Sequence, residues 1–293
     1  NYFGEGILQS IAPNNPEYPD GYLWDMLNMV YTRDSEEPEK MMGYTRLGST
    51  NLPARVTGLF DYAVGTRLIA TCADGKIYER NAGDFSQSTD GTGFNADVDT
   101  RWSGTMFYGA TTAANILLLG NGIDTPKKYN GSAISALGGS PPSTGQFPVA
   151  FLGRAWMVSA DILYYSAVGD CEAWTSAGGG GNIQVERGTG NITSLYIFMG
   201  ELIIFKRNAI YRMLPTTRLS EAAVRRVSSI SGTSSHHTVQ EIGRSGRNAL
   251  AFLSENGLEA MIPTGATGGY TIEAISNNVA PILDLRAKGS MAT

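Results

Sequence analysis

Any chemistry in this chain of 293 residues has to come from a small set of reactive side chains. Its two histidines are adjacent, His236-His237. Neighbours on a strand point to opposite faces, so such a pair chelates poorly. With no third histidine and no paired cysteine, a loop or interface is expected there rather than a metal centre. A serine nucleophile needs a base, and these histidines are the only ones on offer. Gly243-Arg244-Ser245-Gly246 lacks the G-x-S-x-G spacing of a nucleophile elbow and reads as a turn. Gly178 to Gly181 and Gly188-Thr189-Gly190-Asn191 fit neither dinucleotide nor phosphate-loop patterns, and no helix follows either. Asp61, Asp74, Asp97, Asp99 and Asp161 are scattered, with no spacing that pairs them. Cys72 lies in an apolar run and reads as a small core residue. Cys171 lies in a loop beside Gly169 and Asp170, and two cysteines make no disulfide framework. The sequons Asn130-Gly131-Ser132 and Asn191-Ile192-Thr193 matter only in a secreted chain. The expectation is therefore no catalytic, cofactor-binding or metal-binding residue, no cofactor, and no enzyme.

The elements tell more than the reactive residues. Ile192 to Pro215 organises the chain. Leu195–Phe198, Leu202–Phe205 and Ile210–Met213 read as three short strands, separated by Gly200 and by Lys206-Arg207-Asn208. Such a β-meander cannot bury both of its faces alone. The chain supplies neighbours of the same kind, with apolar runs beginning at Leu68, Ile116, Trp156, Leu202 and Leu250. The gaps are 48, 40, 46 and 48 residues. A repeat of roughly 40 to 50 residues, all strand and no helix, is the mark of a β-propeller. The pattern predicts an all-β propeller of about six blades, with a β-sandwich as the alternative. Residues 1–20 carry Pro13, Pro16 and Pro19 and read as an extended N-terminal arm. Residues 21–293 form the propeller domain, with an atypical first blade at Gly21–Leu47.

Composition narrows the function classes. Charged residues are only 17%, against about 25% in ordinary domains, which fits a surface covered by partners. The net charge is -5 and no basic stripe exists. Lys127-Lys128 and Arg225-Arg226 are short pairs expected on solvated faces. Tight sequence-specific nucleic-acid binding is therefore disfavoured, though an acidic surface suits a conduit past which nucleic acid slides. No run of about 18 apolar residues predicts a membrane span, and no signal peptide opens the chain. It starts at Asn1 and stops after Gly289–Thr293 without a closing element, so further chain is expected at both ends.

Residues 162–213 carry a family resemblance. Tyr164-Tyr165-Ser166, Gly169-Asp170 and Trp174 are followed, after a glycine-rich loop, by Ile192-Thr193, Leu195, Phe205-Lys206 and Ile210-Tyr211. This order resembles the β-propeller-type structural proteins of tailed bacteriophages. The endings at Leu250–Met261 and Asn277–Leu285 are similar too, as is the opening strand pair. The resemblance implies a virion structural protein of the neck or tail, such as a nozzle, tail tubular or packaged-DNA-stabilising subunit. It implies no catalytic residue. The implied partners are copies of itself in a ring, other neck or tail proteins, and DNA passing non-specifically. The N-terminal arm and the polar loop Gly83–Thr100 are the expected contact elements.

Two other classes stay open. One is an interaction module built on a propeller, although WD40 and kelch signatures are absent. The other is a glycan-acting propeller enzyme. Ser88–Phe94 (STDGTGF) looks a little like the Asp-box of sialidase-type propellers. It lacks the terminal tryptophan and does not recur.

Overall fold

A computed structural model describes residues 48–63, 67–97, 99–109, 115–215, 219, 224–244, 247–264 and 269–275, with four two-residue strands before them. Those four are β1 (Gly6–Ile7), β2 (Tyr22–Leu23), β3 (Met29–Val30) and β4 (Glu39–Lys40). β1 pairs with β2 in parallel, and β3 pairs with β4 antiparallel. The rest of the expected arm and first blade, and the exit segment at 277–285, lie outside the described residues. The chain divides into two compact units, Arg46–Glu241 and Asn1–Thr45 with Ile242–Thr293.

The unit Arg46–Glu241 carries four antiparallel sheets, each of four strands in sequence order. The first is β5 (Val56–Tyr62), β6 (Arg67–Cys72), β7 (Lys76–Arg80) and β8 (Ser86–Gln87). The second is β9 (Ser103–Phe107), β10 (Ile116–Gly120), β11 (Lys127–Tyr129) and β12 (Ile134–Ala136). The third is β13 (Gln146–Phe151), β14 (Arg154–Ser159), β15 (Ile162–Tyr165) and β16 (Gly181–Gln184). The fourth is β17 (Ile192–Phe198), β18 (Glu201–Lys206), β19 (Ala209–Met213) and β20 (Val224–Ser228). A fifth sheet, β21 (Gln240–Arg244), β22 (Arg247–Ser254), β23 (Gly257–Thr264) and β24 (Gly269–Ala274), belongs to the other unit except at its first two residues.

The fold is thus all-β, a β-propeller-like array of repeated meanders. The described residues hold five such sheets, where about six units were expected from the repeat. All five apolar runs found in the sequence are second strands, β6, β10, β14, β18 and β22.

Strand alternation explains why these runs are so apolar. On β10, Leu117 and Leu119 face a core shared with Ile69, Ile77 and Trp102 of the first repeat and its exit. Ile116 and Leu118 face the opposite way, onto Ala155, Met157 and Trp174. On β14, Trp156 and Val158 pack with Leu195, Leu202 and Ile204 of the fourth sheet. Successive side chains of a strand point to opposite faces, and here both faces meet a neighbouring sheet. Such strands read as continuous rather than alternating apolar runs. Each fully buried Leu or Ile contributes about 1.5–3 kcal/mol of transfer free energy.

The turns are fixed by local chemistry. The β13–β14 and β17–β18 hairpins close with two residues, Leu152-Gly153 and Met199-Gly200. All four have positive φ (52°, 67°, 51° and 77°). That is the signature of a type I′ turn, whose twist matches that of the strands. Glycine suits the second place, since it visits this region at no steric cost.

Candidate functional site

The structure brings Ser194 and His236 together, a pair that strand spacing does not announce. Ser194 lies on β17 and is fully buried. Its Oγ sits 2.8 Å from His236 Nδ1. The histidines, expected in a loop or interface, lie on a 3-10 turn, His236–Thr238, between β20 and β21, with ring centroids 5.5 Å apart. The His236 ring stacks on Phe147 at 4.6 Å and 27°. Burial, and then the neighbouring His237, push His236 down to about 4. At neutral pH it is therefore an uncharged imidazole that can accept from the serine. Serine beside neutral imidazole is half of a nucleophilic apparatus, but a hydroxyl with no exposed surface cannot meet a substrate carbonyl. The contact works as a joint. Phe147 N–H donates to Ser103 Oγ at 2.9 Å, and Ser103 donates to the Gly120 carbonyl at 2.9 Å. These contacts link the second, third and fourth sheets in one line.

Three other ionisable clusters also sit between sheets. Tyr129 is fully buried, donates to Glu79 Oε2 and accepts from Arg67 Nη1 at 2.8 Å. Burial, and then the Glu79 bond, push its hydroxyl up to about 12. Lys128, expected on a solvated face, pairs with Glu172 at 2.6 Å, and Glu172 Oε1 accepts the Gly138 N–H at 2.9 Å. Arg226, likewise expected on a solvated face, pairs with Glu186. The loop Gly83–Thr100, expected as a contact element, contains β8, and Thr89 bridges to Ala133 of the second repeat, with the Ile134 N–H on the Thr89 carbonyl at 3.0 Å.

The residues behind the family resemblance build the frame. Ser166 is fully buried, and its Oγ accepts the Ala155 N–H at 2.9 Å and donates to the Ala167 carbonyl at 3.0 Å. Gly169 turns the chain at φ 73°, and Asp170 Oδ1 accepts the Glu172 N–H at 2.8 Å. Trp174 donates to the Cys171 carbonyl at 2.7 Å inside the core between the second and third sheets. Cys72 and Cys171 are buried and unbridged. Burial is the main cause that pushes both thiols up to about 11, so neither is a ready thiolate.

Lys206 is the unexpected residue. It ends β18 and is fully buried. Its ammonium donates to the carbonyls of Val185 and Glu186 at 2.6 and 2.9 Å, and to Thr189 Oγ1 at 2.8 Å. The Tyr211 ring lies 5.8 Å away. Burial holds its pKa below the ordinary lysine value, with Asp161 opposing at longer range. Among the described residues no group of three or more His, Cys, Asp or Glu is arranged to hold a metal ion. No described helix is long and apolar enough to cross a membrane.

Comparison with known proteins adds likeness of fold only. No family model matches the chain, and no curated protein matches it. Among solved structures, Raptor of Chaetomium thermophilum is similar at a TM-score of 0.51 and 14% identity, over 78% of this chain and 22% of that one. The computationally designed Ika8 protein gives 0.38 and 12%, over 71% of each chain. The extracellular domain of the putative one component system BT4673 from B. thetaiotaomicron gives 0.42 and 13%, over 84% and 37%. This chain thus spans about a fifth of the Raptor chain and just over a third of the BT4673 one.

Proposed function

We propose that this chain is a non-catalytic structural subunit of a tailed-phage virion, one of a ring of identical copies in the neck or tail around the DNA exit path. One observation carries the reading. The chemically distinctive groups, Ser194 with His236, Arg67 with Glu79 and Tyr129, and Lys128 with Glu172, are spent on holding successive sheets together. Two of the residues on which the sequence resemblance rests, Trp174 and Lys206, also reach a neighbouring sheet. A frame braced in this way suits a part that bears load and contacts partners. Closed rings of this kind use heterologous head-to-tail contacts, and the N-terminal arm is a natural element for them.

Native mass and negative-stain images of the purified chain test this reading. A closed ring with a central hole supports it. Assembly on a purified phage portal or tail tube supports it too. A monomer that engages neither overturns it in favour of the broader reading, a protein-interaction module. Apolar residues on turn tips, Leu152 and Met199, serve that broader reading equally well. Removing residues 1–19 should weaken ring assembly without unfolding the sheets, and unchanged assembly removes the arm from the contact.

A further inference from the structure

The end of the fourth sheet carries a groove that the frame does not explain. Two cavities open on either side of the Arg226 side chain. One, of about 300 Å³, is bounded by Gly188, Thr189, Asn208 and Ser229. The other, of about 240 Å³, is bounded by Gln184, Glu186 and Tyr211. Arg226 lines both. Together they fall in the lower part of the size range of small-molecule sites.

The walls indicate the kind of occupant. Asn208, Gln184 and Ser229 offer neutral donors and acceptors. Arg226 is the cationic lining residue of both cavities, and Glu186 pairs with it through both carboxylate oxygens. That carboxylate answers the guanidinium and would repel a phosphate or sulfate, so an anionic ligand is disfavoured. The apolar part of the walls comes from Ala209, Val224 and the Tyr211 ring, a mixed lining rather than the continuous apolar slot that a lipid chain needs. Planar amide, guanidinium and carboxylate groups with balanced charge suit vicinal hydroxyls, which donate and accept at once.

A second observation is independent of the walls. The chain from Glu186 to Gly190 is mostly exposed, with Gly188 and Gly190 at φ 81° and 84° and open space where a Cβ would stand. The apolar core does not explain its shape. Lys206 does, through its three donations to Val185, Glu186 and Thr189. The corresponding strand-ending residue is Cys72 in β6, Gly120 in β10, Ser159 in β14 and Ser254 in β22. Only here does a buried ammonium stand in that place, with neutral oxygens around it, and burying a charge is costly. A costly brace behind an exposed loop is what a preorganised binding site requires.

We propose that the groove on either side of Arg226 binds a neutral glycan segment of one or two sugar units, with Lys206 as the positioning residue for the loop that lines it. This goes beyond the assembly reading and stands whether or not the chain forms a ring. The test is ligand-observed NMR on the full chain, with lactose, maltose, cellobiose and chitobiose as probes. At least one probe should bind saturably. Arg226→Ala should weaken it by about tenfold or more, equivalent to about 1.4 kcal/mol. Arg225→Ala, one residue along the strand on the other face, should leave it unchanged. Lys206→Met should weaken binding, and limited proteolysis should show cleavage newly confined to 185–191. If none of the four probes saturates, or if Arg226→Ala binds as well as the parent chain, the proposal fails. Displacement of a bound sugar by inorganic phosphate at equal concentration also overturns it, because the groove would then be an anion site.

Discussion

Leu152 and Met199 occupy the same place in successive hairpins of the third and fourth sheets, each the first residue of a two-residue turn with φ near 50°. Asparagine or glycine is the usual occupant of that place, and a bulky side chain there costs about 1–2 kcal/mol. Both side chains point outward, 42% and 60% exposed, so the core does not repay that cost. Replacing each with Asn should raise the stability of the isolated chain by about 0.5–1 kcal/mol per site, seen as a higher denaturant midpoint. If these tips are contact points, the same double variant should assemble less well. A variant that is more stable and assembles normally would assign the two residues no contact role.

Tyr129 ties the first and second sheets through Glu79 and Arg67. Tyr129→Phe removes the hydroxyl from a buried network and should destabilise the chain by about 1–3 kcal/mol. Urea titration of the variant checks this. A loss below about 0.3 kcal/mol, within the scatter of surface substitutions, would mean that the bond adds nothing over the packing of the ring.

The same hydroxyl predicts a response to alkali. Its pKa is raised from 10 in the unfolded chain to about 12 in the fold. The unfolded chain therefore ionises first, and the stability held below pH 10 is lost as pH climbs toward 12. Cys72 and Cys171, raised from 9 to about 11, add to the loss from pH 9 upward. Melting temperature measured across this range should fall for the parent chain and fall less steeply for Tyr129→Phe.

Acid acts through His236. Its pKa is lowered from 6.5 to about 4, so the unfolded chain takes up the proton first. Stability present above pH 6.5 is lost as pH drops toward 4, by at most about 3.4 kcal/mol before solvent screening. Ser194, Phe147 and His237 face the ring, and His237, itself lowered by burial and Arg101, adds in the same direction. His236→Gln retains a partner for Ser194 but no titration, and should flatten the slope between pH 6.5 and 4 in chemical denaturation.

The sheets were legible because their cause is local. Val56–Tyr62, Arg67–Cys72 and Lys76–Arg80 follow one another closely in the chain, the last two joined across the Asp74-Gly75 turn. The fourth strand of each sheet was harder. β20, Val224–Ser228, has no fully buried residue and pairs with β19 alone. An edge strand with one partner and little burial leaves a weak pattern. The Ser194–His236 contact was not legible, since 42 residues separate its partners and neither type is unusual where it stands. Lys206 had a faint signal, a lysine closing an otherwise apolar strand. It was read as part of a polar turn because lysine is almost never fully buried. The carbonyls that hold it belong to a loop that periodicity cannot place.

Each sheet is complete within one continuous stretch of chain, its strands hydrogen-bonded in the order they occur. Among the described residues of Arg46–Glu241, braces such as Lys128 with Glu172 and Lys206 with Val185 join a repeat to the one next to it in the chain. A polypeptide wired in this way need not wait for its far end. Each repeat can close as it leaves the ribosome and then serve as the template on which the next one settles. Synthesis in the N-to-C direction and folding should proceed together, and a ribosome stalled after Met213 should already display a protease-resistant body made of the earlier repeats.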